Sequence, residues 1–137
     1  MSLILHLGVV DVPEPEGNTT FGVANILEAQ YGLFSMFAQS SMDRITEHIT
    51  GSVAGALENL TLGQMPSDVF AAANGEIEQD FRHFLDMEDM AKLGVPGVPT
   101  QAALDGKSVR FKRRRGPRRP SFIDSGVLQK SFRVWVD

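Results

Sequence analysis

The sequence predicts an α+β fold in which two or three helices pack on a small antiparallel sheet that includes the N- and C-terminal strands. Three observations predict it. Residues 3–10 form a short apolar run, whose length suits a strand better than a helix. Residues 25–61 and 67–85 carry apolar side chains at helical spacing. Residues 132–137 place Phe132, Val134 and Val136 on one face and Arg133, Trp135 and Asp137 on the other, which is typical of a half-buried strand.

The composition places the chain among soluble globular proteins. It has 137 residues, of which 42% are hydrophobic and 22% charged, proportions that fit one domain. The absence of cysteine excludes a disulfide framework, a thiolate nucleophile and a cysteine-ligated metal. The apolar N-terminal run lacks a basic flank and is too short to span a bilayer, so we expect neither an export signal nor a membrane span.

The first helical segment is predicted from a capping pattern and an apolar stripe. Asn25, followed by Glu28 three residues later, resembles a capping box and places the helix start there. The stripe extends the prediction to residue 61, as one long helix or two, because Ser40 or Ser41 could begin a new helix. The regular part of this stripe consists of Met42, Ile45, Ile49, Val53, Leu57 and Leu60.

A second helical segment is predicted to open at Ser67, with Asp68 in its first turn. Two prolines and two glycines in the run 94–99 cannot continue a helix and should end it. Residues 101–121 are predicted as a loop or an irregular hairpin. The apolar stripe of this segment consists of Val69, Phe70, Ala73, Ile77, Phe81, Phe84 and Leu85.

The net charge of −4 conceals a strong polarity along the chain. Residues 1–106 hold three basic and fifteen acidic residues, a balance of −12, whereas residues 107–137 hold ten basic and two acidic residues, a balance of +8. Such asymmetry indicates a charged partner or self-association. Within a single domain 1–137 we therefore distinguish an acidic, mainly helical body (1–106), a basic loop or arm (107–121) and a turn with the C-terminal strand (122–137).

The basic arm is a candidate docking element. Seven of the ten residues from Arg110 to Arg119 are basic; they could neutralise phosphates and give sequence-independent, salt-sensitive binding to nucleic acid. The same charges could dock on the acidic face of a neighbouring subunit, so both kinds of partner stay open. The candidate docking residues are Lys107, Arg110, Lys112, Arg113, Arg114, Arg115, Arg118 and Arg119.

The sequence contains no residue pattern that predicts a catalytic or metal-binding site. The histidines His6, His48 and His83 are scattered, and none shares the i, i+4 spacing that places two ligands on one helical face. The carboxylates within residues 76–89 lack the alternating ligands and the turning glycine of a calcium loop, which favours an acidic, solvated helix face. We expect no enzymatic activity, no cofactor and no metal.

The segment Asp124-Ser-Gly-Val-Leu-Gln-Lys-Ser131 begins with turn chemistry, because Asp accepts local backbone hydrogen bonds and Gly supplies a positive φ. We expect this turn to lead into the terminal strand. The same segment resembles the Asp-Thr-Gly-x-Leu-x-x-Ser signature of tailed-phage virion morphogenesis proteins, the group of neck, head–tail joining and tail-completion proteins. Ser125 stands where the signature usually has Thr. The stretch 94–124 also resembles a set of uncharacterised phage structural proteins.

The resemblance implies a structural virion subunit without enzymatic turnover, made in the bacterial host cytoplasm and assembled as a homo-oligomeric ring between portal and tail. Its partners would be its own copies and neighbouring portal, neck or tail proteins, with contact to packaged DNA as a second use of the arm. The alternatives are a nucleic-acid-binding module, or a baseplate, tail-tip or capsid-decoration component. The residues proposed for the motif and an interface, with the core equally open for its apolar members, are Phe122, Asp124, Ser125, Gly126, Leu128, Ser131, Phe132 and Trp135.

Overall fold

The computed structural model describes residues 2–14, 17–107, 117–123 and 126–137. These residues form an α+β fold with seven helices and one two-stranded antiparallel sheet. The strands are β1 (Leu5–Val9) and β2 (Phe132–Val136), so the predicted pairing of the terminal strands is confirmed. The helices are α1 (Thr20–Tyr31), α2 (Leu33–Ser40), α3 (Met42–Thr61), α4 (Ala71–Asp86), α5 (Asp89–Lys92), α6 (Gln101–Leu104) and α7 (Val127–Ser131). The helical part is thus divided more finely than the two or three helices predicted.

Helix α1 begins five residues before the predicted start. The Thr19 hydroxyl accepts the N–H of Gly22 at 3.2 Å, and the Asp11 carboxylate accepts the N–H of Phe21 at 3.0 Å. Two of the unpaired donors at the helix start are thereby satisfied. The capping box proposed at Asn25 is wrong, because that residue lies inside α1.

Three helices, rather than one or two, cover the segment 25–61. Gly32 adopts φ 65° and separates α1 from α2, a left-handed conformation that glycine tolerates without steric cost. The Glu28 carboxylate accepts the N–H of Phe34 at 2.7 Å and so caps α2, the helix after its own. The second break lies at Ser41, close to the predicted new start.

Helix α4 begins at Ala71 and not at Ser67. The Asp68 carboxylate accepts the N–H of Phe70 at 3.0 Å, an Asx-type turn that holds the chain out of helical geometry for two more residues. The helix then runs without interruption to Asp86. Asp68 therefore marked a turn before the helix and not its first turn.

The predicted second helix ends before the Gly/Pro run 94–99: α4 ends at Asp86, Glu88 adopts φ 53°, and the short α5 ends at Lys92. The expectation that 101–121 is all loop is wrong at its start, where α6 occupies Gln101–Leu104. Its N-cap is Thr100, whose hydroxyl accepts the N–H of Ala103 at 3.2 Å. A four-residue helix has no apolar periodicity to reveal it, which is why the pattern missed it.

The core lies between α4, α2 and one face of the sheet. The rings of Phe81 and Phe132 stack with centroids 3.9 Å apart, and Phe37 meets both edge-on. Along β2, Phe132 and Val134 are buried while Arg133 is exposed, which confirms the predicted alternation. The larger buried apolar residues are Leu33, Phe37, Ile45, Ile77, Phe81, Phe84, Leu85, Met90, Leu128, Phe132 and Val134.

Candidate functional site

The C-terminal motif forms a joint between α7 and the sheet. Gly126 adopts φ 81° immediately before α7, the positive φ predicted for it. The turn leads into the strand through the five-residue α7, a helix that the sequence did not predict. The Ser131 hydroxyl donates to the Val127 carbonyl at 2.6 Å, and the Ser131 carbonyl accepts the N–H of Val10 at 2.8 Å. The described part of the motif thus fastens the end of α7 to the end of β1.

Three of the four predicted apolar anchors serve the interior. Leu128 and Phe132 are buried in the core. Phe122 is half-buried against Tyr31, with ring centroids 5.0 Å apart, and adopts φ 71°, which is unusual for a bulky side chain. These residues pack the fold and offer a partner little surface.

Trp135 is the anchor that a partner could reach. Its side chain points to the outer face of the sheet, remains 44% exposed and stacks on His6 with centroids 5.1 Å apart. Its ring also extends over Gly8, where a Cβ would lie 3.0 Å from the ring. The absence of a side chain at residue 8 therefore allows the tryptophan to lie flat across β1.

The base of the arm is bound to the body. The Arg119 guanidinium donates to the carbonyls of Lys107 at 2.8 Å and Ile123 at 3.2 Å, so it joins the two ends of the arm. Arg118 forms a bidentate ion pair with Glu88, with N–O distances of 3.0 and 3.1 Å. Both arginines therefore have partners within the chain, whereas Lys107 is exposed. The predicted site residues outside the described part of the chain are Arg110, Lys112, Arg113, Arg114, Arg115, Asp124 and Ser125.

A charged cluster that the sequence did not reveal joins α3 to α4. Nδ1 of His48 lies 2.6 Å from Glu76, and Nε2 lies 2.8 Å from Asp80, whose other oxygen is 3.2 Å from Arg44. Carboxylate oxygens thus lie beside both ring nitrogens, and the imidazole is held between α3 and α4. The expectation of a solvated acidic face is wrong at Asp80, whose side chain is 15% exposed, whereas that of Glu76 is 56% exposed. The sequence signal for this cluster was the four-residue spacing of Arg44 and His48 in α3 and of Glu76 and Asp80 in α4, which places each pair on one helix face.

The described residues contain no candidate metal site. Across the described ranges, with their gaps at 15–16, 108–116 and 124–125, no group of three or more His, Asp or Glu side chains could hold a metal ion. The groove beside the charged cluster, about 390 Å³, has a wall of small residues that includes Gly51 and Gly55. The charged cluster therefore links α3 to α4.

The outer side of α3 carries apolar residues that no described part of the chain covers. Val53, Leu57 and Leu60 continue the predicted stripe but are exposed, Leu57 by 59%. We call these three residues the α3 stripe. Leu62 and Met65, just beyond the helix, are also exposed, Met65 by 85%. An amphipathic helix usually turns its apolar face to the core, so this exposure is unusual.

The backbone pattern of the sheet defines a free edge on β1. Ile4 and Asp137 exchange hydrogen bonds of 2.9 and 3.0 Å, and Val10 donates to Ser131. Hydrogen-bonded and non-hydrogen-bonded pairs alternate in an antiparallel ladder. Non-hydrogen-bonded pairs therefore contain Leu5, Leu7 and Val9, whose N–H and C=O groups point away from β2.

The two edges of the sheet differ. On β2, the Glu78 carboxylate of α4 accepts the outward N–H of Val134 at 3.0 Å. On β1, the outward groups find no strand partner among the described residues. They border a cleft of about 390 Å³ between β1 and α1, here called the edge cleft, whose lining includes Leu7, Val9, Phe21, Ala24, Phe34 and Trp135.

Comparisons with known proteins gave no match: no protein-family model and no curated protein matches the sequence, and no solved structure matches the fold. Among the helices that the structure describes, none is long and apolar enough to cross a membrane. The α3 stripe, the edge cleft and the basic arm are the surface features from which a function has to be inferred.

Proposed function

We propose that the chain is a non-enzymatic, self-assembling structural subunit of a tailed-phage virion, namely a ring-forming head–tail connector, neck or tail-completion protein. The observation that carries self-assembly is the exposed α3 stripe. Val53, Leu57 and Leu60 lie at helical spacing on a 20-residue helix, yet they face outward. A contiguous exposed apolar surface on a globular protein usually marks a contact with another molecule.

The assignment to a phage particle is supported by the motif. Residues 124–131 resemble the signature of tailed-phage morphogenesis proteins, and a basic segment precedes them. In the described part of this motif, Gly126 and Ser131 serve the backbone and carry no reactive chemistry. A structural role fits such residues.

The charge distribution supports head-to-tail contacts between copies. A body of −12 and a C-terminal part of +8 attract each other when one copy's arm faces the next copy's body. Contacts between two different surfaces of identical chains produce a ring when the rotation closes. The hydrogen bonds of Arg119 and the ion pair of Arg118 would present the arm from a fixed base.

Native mass spectrometry and electron microscopy of the purified chain test self-assembly. We expect closed oligomers that Leu57→Glu weakens by about tenfold or more, since a charge replaces an apolar group in the contact. The matched control is Leu93→Glu, which adds the same charge at another exposed leucine, outside the stripe. A wild-type chain that stays monomeric at all concentrations, and that is missing from phage particles analysed by mass spectrometry, contradicts the proposal.

A second candidate, binding to nucleic acid, is favoured by the eight basic residues between Lys107 and Arg119. Its signature is an affinity that falls steeply with salt, because bound phosphates release counterions. The test compares the salt slope of DNA binding for the wild type and for a variant with residues 113–115 changed to Gln. If the wild type shows no binding even at low salt, this candidate is excluded.

A further inference from the structure

We propose that the edge cleft receives residues 109–113 of a second copy, which add to β1 as a third strand. This proposal rests on the self-assembly proposed above and names the surface and the segment that would meet. It differs from a purely electrostatic contact, because backbone hydrogen bonds and apolar side chains would determine where the arm lies.

The edge supplies the hydrogen-bonding groups. Leu5, Leu7 and Val9 direct their backbone groups away from β2, and an extended segment beside them would find donors and acceptors at the strand period. The opposite edge is blocked, since Glu78 already takes the N–H of Val134. An open, apolar edge strand is the kind of surface that pairs with another chain, so strand addition is directed to β1.

The cleft supplies surfaces of two kinds. On its inner side lie Ala24 and Phe34, and Phe34 also stacks on the core ring Phe81 with centroids 5.5 Å apart. On its outer side lies Trp135, whose ring crosses Gly8. An added strand would therefore meet an apolar floor with one set of side chains and an aromatic ring with the other.

The segment 109–113, Val-Arg-Phe-Lys-Arg, matches these two surfaces. Its apolar residues Val109 and Phe111 are two apart, as are its basic residues Arg110 and Lys112. In a strand, residues two apart share one face. Val109 and Phe111 would bury against the floor of the cleft, and the cations between them would face Trp135, where a cation over an aromatic ring is favourable.

A second copy is the source that fits a ring. A subunit that gives its arm to one neighbour and receives an arm from the other makes the same contact at every position, as a closed ring requires. Charge favours this exchange, because Glu28 lines the cleft and Asp11 binds the N–H of Phe21 at its border. The arm would meet these acidic groups on the neighbour's strongly negative body.

Engineered disulfides test the contact directly, since the chain has no cysteine of its own. One preparation carries Asn25→Cys, on the exposed side of α1 at the cleft, and the other carries Arg110→Cys. After equimolar mixing and mild oxidation we expect a mixed dimer on a non-reducing gel. Asn59→Cys, an exposed position at the other groove, serves as the control partner and should link to Arg110→Cys at least about tenfold less.

Substitutions in the arm separate strand addition from charge attraction without touching the described core. Val109→Asp with Phe111→Asp removes the apolar face, and we expect the mixed dimer to fall by about tenfold or more, because charged side chains would replace apolar ones on the floor of the cleft. Arg110→Gln with Lys112→Gln, tested with the second cysteine moved to Arg113, keeps the apolar face and should reduce the link by less. The reverse order of effects would overturn strand addition.

The outcomes distinguish this proposal from the proposed function. If the wild type forms oligomers but the Asn25–Arg110 link does not exceed the Asn59 control, strand addition is wrong and self-assembly stands. If the wild type is monomeric, self-assembly itself fails. A link that forms within a chain carrying both cysteines, but not between the two single variants, would overturn the assignment to a second copy.

Discussion

Replacing Phe132 by alanine removes a ring from the middle of the aromatic core. Phe132 is fully buried, stacks on Phe81 at 3.9 Å and lies 6.1 Å from both Phe34 and Phe37, centroid to centroid. The loss combines the transfer free energy of the ring with that of the cavity left behind, and for Phe→Ala it amounts to about 3–5 kcal/mol. For a chain of this length, 1 kcal/mol corresponds to about 4 °C in Tm, so we expect a decrease of about 12–20 °C.

Trp135→Ala is the matched comparison, because it removes an aromatic ring from the same strand but from the other face. The ring of Trp135 is 44% exposed and its removal leaves no closed cavity, so the expected loss is about 1–2 kcal/mol. Urea unfolding followed by far-UV circular dichroism measures both losses. Phe132→Leu, with a smaller expected loss of about 1–2 kcal/mol, keeps the comparison possible if the alanine variant does not fold.

The assignment of Phe132 to the core and of Trp135 to the surface is contradicted if Trp135→Ala destabilises the isolated chain as much as Phe132→Ala does. It is also refuted if Phe132→Ala costs less than about 1 kcal/mol, which would place this ring outside a packed core. The comparison decides which of the two aromatic anchors in β2 serves folding and which is free for a partner.

Three further experiments probe the turns, the helix cap and the ion pair that position the surfaces. Gly126→Ala should cost about 1–2 kcal/mol in chemical unfolding because φ is 81° there, whereas Gly51→Ala, inside α3 with open space around it, should stabilise by about 0.5–1 kcal/mol. Glu28→Gln should lower stability by about 0.5–2 kcal/mol, measured by thermal unfolding, since its carboxylate caps α2. A double-mutant cycle on Arg118 and Glu88 should give a coupling of about 0.2–1 kcal/mol that falls with added salt, because the arginine is exposed.

The sequence predicted the parts of the fold that depend on side-chain period. The alternation from Phe132 to Val136 reports burial on one face of a sheet, and the structure has that burial. The apolar run at residues 3–10 and the breakers at 94–99 are equally local signals. Patterns of this kind follow from the geometry of strands and helices and need no knowledge of distant contacts.

The ends of helices were harder to predict from the sequence, because several polar residues near each helix start can serve as its N-cap. Thr19 caps α1 although Asn25 with Glu28 offered the more familiar pattern. Asp68 forms a turn that delays α4, although an acidic residue is also common in a first turn. Which of these hydrogen bonds forms depends on where the apolar face must lie, and local sequence alone does not state that.

Pairings across the chain could not be predicted from local patterns at all. His48 and Asp80 are 32 residues apart, and Glu78 meets Val134 across 56 residues. Arg118 and Arg119, counted with the docking residues on charge alone, bind inside the chain. Charge and composition located the arm, but which of its cations are engaged became clear from tertiary contacts.

The pairing of Ile4 with Asp137 has a consequence for synthesis of the chain. At about 5–20 residues per second, β1 is synthesised about 6–25 s before β2. During that interval the nascent strand lacks its partner, and Phe81 lacks the ring of Phe132 that later stacks on it. Contacts between such distant residues slow folding, so the sheet and the aromatic core close after translation of the last strand, and the partly folded chain must be kept from premature association until then.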